Sequence, residues 1–190
     1  MMIHAHIEKD IAYLTLDRPD KANALDEAGC HALHEHLAKL QEKVQCIVLQ
    51  GKGKHFCAGA DLTWIKPLSA HGRIHALEPL KHSLHLLSTG IPSVAHVHGA
   101  CRGGGVGLVA ACQAAYAQPN TTFACPERSQ GIEPSIILPY LQKKIAKDIL
   151  TPWLDHGAVI SEHTAKTWGL IDEITGPTHA ANECPHKHKT

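Results

Sequence analysis

The sequence predicts an α/β fold, because strand-like and helix-like segments alternate along the chain. Short apolar runs at 44–51 (VQCIVLQG) and 91–99 (IPSVAHVHG) are typical of strands that are buried on both faces of a sheet. An amphipathic stretch at 25–43 precedes the first of them, and its Asp26 and Glu27 favour the first turn of a helix. Such alternation indicates a layered domain of sheet and helices.

The other segments continue this alternation. Residues 11–19 alternate apolar and polar side chains, as a half-buried strand does, and Pro19 ends them. The run at 103–117 combines glycines with small residues and predicts a Gly-rich turn that opens a helix. Further helices are predicted around 75–88, 137–154 and 161–169 (with Ser161 as N-cap), and further strands at 121–127 and 170–174.

Length and charge exclude several classes of protein. A chain of 190 residues is most simply one domain, which we expect over 1–175, followed by a disordered polar tail at 176–190. Lysine plus arginine and aspartate plus glutamate number 18 each, so no excess of charge points to nucleic acid or an acidic membrane as partner. No apolar stretch reaches the roughly 20 residues of a membrane span.

Cysteines and histidines are both numerous. The seven cysteines are scattered, often among small apolar residues, and none forms a CxxC pair, which predicts a reduced cytoplasmic protein. Several of the 17 histidines have helical i, i+3 or i+4 spacing, which is compatible with a metal site or with polar helix faces. Because no HExxH motif or carboxylate–histidine set has ligand spacing, we expect no metal.

Two clusters of small residues follow predicted strands. The first is HFCAGADL (55–62), and the second, GACRGGGVGLVAA (99–111), opens a helix. Glycine lets a ligand oxygen approach backbone N–H groups closely, and a helix N-terminus leaves such groups unpaired. For the second cluster, a phosphate-binding loop and mere close helix–strand packing are alternatives, although GxxxxGK[ST] is absent. Together the two clusters are suited to an oxyanion hole for a thioester carbonyl.

This constellation resembles the crotonase (enoyl-CoA hydratase/isomerase) superfamily. The resemblance covers nearly the whole chain, with motifs in the family's order, which makes it specific. Within this superfamily, the motifs are most similar to those of methylglutaconyl-CoA hydratase-like members and of polyketide-pathway hydroxymethylglutaryl dehydratase-like members. The matching motifs are RPDKANAL (18–25), HFCAGADL (55–62), GACRGGGVGL (99–108), FACPERSQGIEP (123–134) and AKTWGLIDEI (165–174).

The resemblance implies a crotonase-like ββα spiral core and a set of site residues. Ala60 and Gly104 match the positions whose N–H groups form the oxyanion hole, and Glu127 matches the general acid/base. The implied substrate is a thioester of CoA or acyl carrier protein, so that CoA or phosphopantetheine enters as part of the substrate and no separate cofactor is expected. A homotrimer is the assembly that the family implies.

The resemblance also assigns the rest of the CoA site. The adenine end of CoA is expected to lie against residues 21–22 and 58–62, and Lys21 is expected to contact a phosphate group of CoA. The substrate- or CoA-binding residues that match are Lys21, Ala22, Ala58, Asp61 and Leu62.

Three departures from the family leave two hypotheses open. Gly107 stands where well-known hydratases carry a second glutamate, Gln113 stands where aspartate is usual, and 16 residues follow Ile174, so that the C-terminal helical region is expected to be largely missing. Glu133 is a further acid at a place that is usually apolar. The chain is therefore either a hydratase/dehydratase or isomerase that acts on a branched enoyl thioester, or a catalytically degenerate protein that binds acyl-CoA or another protein.

Overall fold

The computed structural model describes residues 2–176, in which strands and helices alternate as the sequence predicts. The α/β prediction is confirmed. The main sheet has six strands, in the order β1 (Met2–Glu8), β2 (Ile11–Asp17), β3 (Cys46–Gly51), β4 (Ser93–Val97), β6 (Ala114–Ala117) and β9 (Glu173–Ile174). A smaller sheet has the order β5 (Ala100–Arg102), β7 (Thr122–Ala124) and β8 (Ile160–Ser161).

Eight helices in the described residues surround the sheets. They are α1 (Glu27–Leu40), α2 (Leu62–Ile65), α3 (Ala70–Ala76), α4 (Glu78–Thr89), α5 (Gly104–Ala111), α6 (Leu138–Lys144), α7 (Lys147–His156) and α8 (Glu162–Thr167). The helix predicted over 137–154 is divided into α6 and α7, because Ile145 and Ala146 adopt extended backbone between them. The helix predicted around 75–88 is likewise divided at Leu77.

The centre of the main sheet is parallel and buried. β2, β3, β4 and β6 pair in parallel, with Leu14 opposite Leu49 and Leu49 opposite Ala95. The apolar run of β3 is buried over its first four residues, which is why it shows no polar alternation. The adjacent α1 begins at its N-cap Asp26, whose side chain accepts a hydrogen bond from Gly29 N, and buries Leu33 and Leu37.

Among the further differences from the sequence prediction, β1 and the run at 103–117 have a clear physical reason. β1 was not predicted, because it is an edge strand with mostly exposed side chains and so lacks a clear apolar face. The helix expected over 103–117 ends at Ala111, and β6 follows as a strand. Alanine favours helix locally, but the pairing of Ala115 with Ala95 and the extended backbone of Cys112 override that preference.

The cysteines are mostly small core residues. Cys30, Cys57, Cys101, Cys112 and Cys125 are free and buried, and burial raises the pKa of the Cys57 thiol to about 12. That all seven cysteines are reduced stays a prediction. The cytoplasmic location inferred from the cysteine pattern stays a prediction.

The ends of the chain are covered only in part. The one-domain boundary at 175 stays a prediction, and the predicted tail lies, apart from Gly176, outside the described residues. Over residues 2–176, no helix has both the length and the apolar character needed to cross a membrane.

Asn23 ties the loop after β2 to the loop after β3. Its side chain is fully buried, and its Oδ1 accepts a hydrogen bond from Arg18 N at 2.8 Å. Its Nδ2 donates to the carbonyls of Lys52 and His55 at 2.9 and 2.8 Å. Asn23 has φ +58, a left-handed conformation that asparagine tolerates better than most residues. One side chain therefore holds together the two segments that lead to the first small-residue cluster.

We expect Asn23→Ala to lower the free energy of unfolding by roughly 2–4 kcal/mol, because it leaves buried backbone groups without their partners. Urea denaturation measures the change. The control is Asn120→Ala, since Asn120 also has positive φ (+65) but is exposed. Equal losses in the two variants would show that backbone strain, and not the hydrogen bonds of Asn23, explains the effect.

Candidate active site

The small sheet aligns two of the predicted site residues. β5 and β7 pair in parallel with Arg102 opposite Ala124, and Gly103 N donates to Ala124 O at 2.9 Å. Because parallel strands end at the same edge, the residues after both strands leave the sheet together. α5, which starts at Gly104, and the turn that carries Glu127 therefore begin side by side.

Isolated backbone pairs add the first small-residue cluster to this edge. Cys57 pairs in parallel with Cys101, and Leu25 pairs in parallel with Ala60. Leu25 uses Gly59 O as acceptor for its N–H at 2.7 Å and accepts from Asp61 N at 2.8 Å. In a parallel pair of this kind the N–H of the intervening residue points to the other side. The Ala60 N–H is thereby directed away from the Leu25 segment.

Ala60 and Gly104 present unpaired backbone donors close together. Neither N–H donates a hydrogen bond to another group within residues 2–176. A Cβ at Gly104 would lie 3.6 Å from Ala60 N, and a Cβ at Gly59 would lie 3.0 Å from Gly104 N and 2.8 Å from Arg102 O. Gly59 also has φ +83, so only glycine fits this approach without strain. The two donors can meet one oxygen atom, and the start of α5 adds its positive dipole.

Glu127 lies beside these donors in a desolvated position. Its Oε2 is buried and has no hydrogen-bond partner in the described structure. A Cβ at Gly103 would lie 2.5 Å from Glu127 Oε1, so the carboxylate occupies the space that a side chain at Gly103 would take. Burial raises the pKa of Glu127 to about 7, against its ordinary value of 4.5. A carboxyl group with such a pKa can both accept and return a proton near neutral pH.

An apolar cleft joins Ala60, Gly104 and Glu127. It encloses about 670 Å³, including its open mouth. Walls of aliphatic side chains with a few convergent polar groups are typical of a small-molecule site. The lining residues are Ala58, Gly59, Ala60, Leu62, Ile65, Leu77, Leu80, Gly103, Gly104, Pro126, Glu127, Gln130, Ile132, Glu133, Pro134, Ile136 and Ile137.

The residues predicted to bind CoA lie at different distances from this cleft. Ala58 and Leu62 line it, and Ala58 N donates to Ala22 O at 2.9 Å, so the Ala22 segment runs alongside. Lys21 is exposed and does not line the cleft. Asp61 does not line it either, because its carboxylate pairs with Arg18 at 2.7 Å. Their roles in binding stay predictions.

Asp61 also organises the segment that follows the oxyanion loop. Its Oδ1 accepts hydrogen bonds from Thr63 N at 3.0 Å and from Thr63 Oγ1 at 2.7 Å, which caps α2. These bonds and the ion pair with Arg18 hold the pKa of Asp61 below its usual value. The position of Asp61 is thus explained by structural contacts within the protein.

The place of the second hydratase acid is filled by a core side chain. A Cβ at Gly107 would lie 2.2 Å from Ile137 Cγ2 and 2.9 Å from Ile137 Cβ. Both Gly107 and Ile137 are buried. Position 107 therefore has no room for an acid while Ile137 keeps this place. Gln113, the other departure, is exposed and lies just before β6.

Two arginines organise the rim of the cleft. Arg128 donates to Glu133 at 2.9 Å and also contacts Asp155. Arg73 of α3 donates to the carbonyls of Ile65, Lys66 and Gly131 at 3.2, 3.1 and 3.2 Å. Side-chain hydrogen bonds of Arg73 thus connect α2 with the loop that follows Glu127.

Sequence reasoning missed three residues that shape this site. Gly59 and Gly103 permit the close contacts of the donors and the carboxylate, and Ile137 occupies the place beside Gly107. The glycines were visible in the two clusters, but their individual contacts were not. Ile137 gave no signal, because its contact with Gly107 joins residues that are 30 positions apart.

The histidines do not gather into a metal site in the described region. The Nε2 atoms of His71 and His75 lie 3.0 Å apart on α3, and the rings of His34 and His82 lie 5.4 Å apart at a tilt of 46°. Within residues 2–176, no group of three or more histidine, cysteine, aspartate or glutamate side chains is placed to hold a metal ion. That the protein needs no metal stays a prediction.

Two converging N–H donors beside a buried carboxyl group define a class of site that suits acyl thioesters, because the donors can stabilise a negative charge on the thioester oxygen. The sequence profile described as "Enoyl-CoA hydratase/isomerase" matches residues 6–183. The chain belongs to this family of enzymes, so the resemblance inferred from the motifs is confirmed.

Named relatives and solved structures agree with this assignment. The dehydratase PksH of bacillaene synthase from Bacillus subtilis is 30% identical over 174 residues, which are 90% of this chain and 67% of that protein. Mevalonyl-coenzyme A hydratase SidH from Aspergillus fumigatus is 31% identical over 86% of this chain and 62% of its own length. This chain thus spans about two thirds of the length of these relatives.

The fold is likewise that of solved family members. A crystal structure of an enoyl-CoA hydratase/isomerase (crotonase) from Legionella pneumophila superposes with a TM-score of 0.88 at 29% identity, covering 92% of this chain and 70% of that one. The crystal structure of PksH from Bacillus subtilis gives a TM-score of 0.82 at 27% identity, covering 92% and 71%. The crotonase fold predicted from the motifs is therefore confirmed.

We expect Gly107→Ala to destabilise the protein by about 1–3 kcal/mol, because the new methyl group overlaps Ile137. Thermal or urea unfolding measures the loss. The double variant Gly107→Ala/Ile137→Ala should lose less stability than the sum of the two single variants, because the smaller side chain makes room. Additive losses would contradict the overlap.

The raised pKa of Glu127 predicts a pH-dependent stability difference between wild type and Glu127→Gln. Below pH 4.5 the carboxyl group is protonated in the folded and unfolded states and contributes no difference. As the pH rises from 4.5 to about 7, the unfolded state ionises first, so wild type loses stability by up to about 3 kcal/mol.

Glu127→Gln cannot ionise and should escape this loss. Its stability relative to wild type should therefore increase between pH 4.5 and pH 8, as measured by urea unfolding at several pH values. Glu42→Gln, at an exposed position, is the control for removal of one carboxylate. A constant difference across this pH range would mean that Glu127 is not desolvated as described.

Proposed function

We propose that this protein transfers protons at the α-carbon of an acyl thioester through an enolate held by Ala60 and Gly104. The observation that carries the proposal is the buried Glu127 carboxyl group, whose Oε2 has no hydrogen-bond partner within residues 2–176, beside two N–H donors that are also unpaired there. In this mechanism Glu127 removes the proton from the α-carbon. The electron pair of the C–H bond moves onto the thioester carbonyl, and the resulting oxyanion accepts both N–H hydrogen bonds.

A single carboxyl group can complete several reactions of this type. In isomerisation, Glu127 would return the same proton at the γ-carbon and so shift the double bond. In dehydration, protonation and loss of a β-hydroxyl group would follow enolate formation. Hydration is the reverse of dehydration and uses the same groups, so in either direction one carboxyl group must serve both the β-oxygen and the α-carbon. The apolar Ile137 in place of a second acid therefore favours isomerisation, which needs one carboxyl group only, over hydration or dehydration.

The substrate we favour is a branched enoyl thioester. One relative supports this choice, because SidH is named as a mevalonyl-CoA hydratase and the mevalonyl group is branched. The apolar walls of the cleft suit such a chain. The carrier, either CoA or acyl carrier protein, and a homotrimeric assembly remain expectations taken from the family resemblance.

The second candidate is a protein that binds acyl thioesters without turning them over. The observation in its favour is the absence of a second acid at Gly107, where the family's hydratases carry a glutamate, together with the side chain of Ile137 that fills the space. The retained donors and the raised pKa of Glu127 favour the catalytic proposal instead.

Exchange of α-protons in D₂O separates these candidates without the need to know the natural substrate. We expect wild type to exchange the α-protons of a saturated thioester, isovaleryl-CoA, as followed by NMR. Glu127→Gln keeps the size of the side chain but removes the base, so the exchange rate should fall by about 10²–10⁴-fold. Its affinity for the thioester, measured by calorimetry, should change little.

Wild type that binds isovaleryl-CoA but exchanges no protons would support the binding protein and contradict the catalytic proposal. Exchange that persists in Glu127→Gln would show that another group is the base. Glu133→Gln tests that possibility directly, because Glu133 is the other carboxylate on the cleft wall. If Glu127 is the base, the exchange in Glu133→Gln should stay within a few-fold of wild type.

A further inference from the structure

Among the described residues 2–176, the wall of the cleft carries acidic but no basic side chains. Of its lining residues, Glu127, Gln130 and Glu133 are polar, and none is lysine, arginine or histidine. The other lining residues are aliphatic side chains, prolines and small residues that expose backbone. A carboxylate on a bound acyl chain would therefore find no cation among the lining residues that the structure describes.

At the rim beside Glu133, two carboxylates share one arginine side chain. Glu133 follows Glu127 on the same loop, and Arg128 donates to it at 2.9 Å. The same Arg128 guanidinium also pairs with Asp155. One cation is thus shared by two carboxylates, and it is not available to a ligand carboxylate without the loss of a partner.

Arg73 is the other arginine that connects parts of the rim. Each of its three guanidinium nitrogens donates to a backbone carbonyl, namely those of Ile65, Lys66 and Gly131. Arg73 does not line the cleft. Its hydrogen bonds connect the end of α2 with the loop that follows Glu127, and they direct its positive charge toward backbone carbonyls.

We propose that this cleft selects thioesters whose acyl chain carries no carboxylate, and that Glu133 is the residue that determines this preference. The proposal rests on the proposed function and narrows its substrate class. It departs from the 3-methylglutaconyl and 3-hydroxy-3-methylglutaryl groups of the relatives named from the motifs, since both end in a second carboxylate. That carboxylate would lie among Glu127 and Glu133 without a partner, whereas an uncharged branched chain meets aliphatic walls.

A pair of unreactive saturated thioesters tests this selection apart from catalysis. Isovaleryl-CoA and 3-methylglutaryl-CoA share a branched skeleton and differ by one terminal carboxylate. We expect wild type to bind isovaleryl-CoA about tenfold more tightly by calorimetry. Glu133→Gln should narrow the ratio of the two dissociation constants by about fivefold, as expected for unit charges about 4 Å apart in water. Glu133→Lys should narrow the ratio further.

The control is Glu42→Gln, which removes one carboxylate from an exposed position that does not line the cleft and should leave the ratio unchanged. A high salt concentration should also narrow the wild-type ratio, because it screens exposed charges. The proposal would be overturned by equal binding of the two thioesters to wild type. It would also be overturned by an unchanged ratio of the two dissociation constants in Glu133→Gln. Binding of neither thioester would overturn it as well. A preserved ratio without α-proton exchange would overturn the catalytic function alone.

Discussion

Parallel backbone pairing of short chain segments is the constraint on which the site depends. β5 pairs with β7, Cys57 pairs with Cys101, and Leu25 pairs with Ala60. None of these pairings spans more than three residues, yet together they bring four separate segments of the chain to one edge. The two N–H donors are thus positioned by the backbone, so their geometry does not rely on flexible side chains.

Glycines and a buried acid give this edge its chemistry at a cost in stability. Gly59 and Gly103 adopt positive φ where any side chain would overlap its neighbours. Within the described residues, Oε2 of Glu127 is buried without a hydrogen-bond partner, which is unfavourable for folding but suits a group that must bind and release a proton. Contacts elsewhere offset this loss of stability. The buried Asn23 and the ion pair of Arg18 with Asp61 fix the loops that follow β2 and β3.

Strands and helices could be predicted from the sequence where the local pattern of apolar side chains reflects their burial in the folded protein. β3 and α1 could be predicted because an apolar run and an amphipathic stretch reflect full and one-sided burial. The motifs identified Ala60, Gly104 and Glu127 along the chain, but their convergence depends on strand pairings that no local pattern encodes. β1 was missed because an exposed edge strand has no clear apolar face, and the helix expected over 103–117 was too long because pairing with β4 overrides the helix preference of alanine.

The contact between Gly107 and Ile137 limits how this protein can change over evolutionary time. An acid at position 107 is accommodated only after residue 137 becomes smaller, and a smaller residue 137 beside glycine leaves a void in the core. Either order of the two substitutions passes through a less stable intermediate. No single substitution can therefore convert this cleft into a stable two-acid hydratase site. Substitutions that change its chemistry are expected first in the loop that carries Glu127 and Glu133.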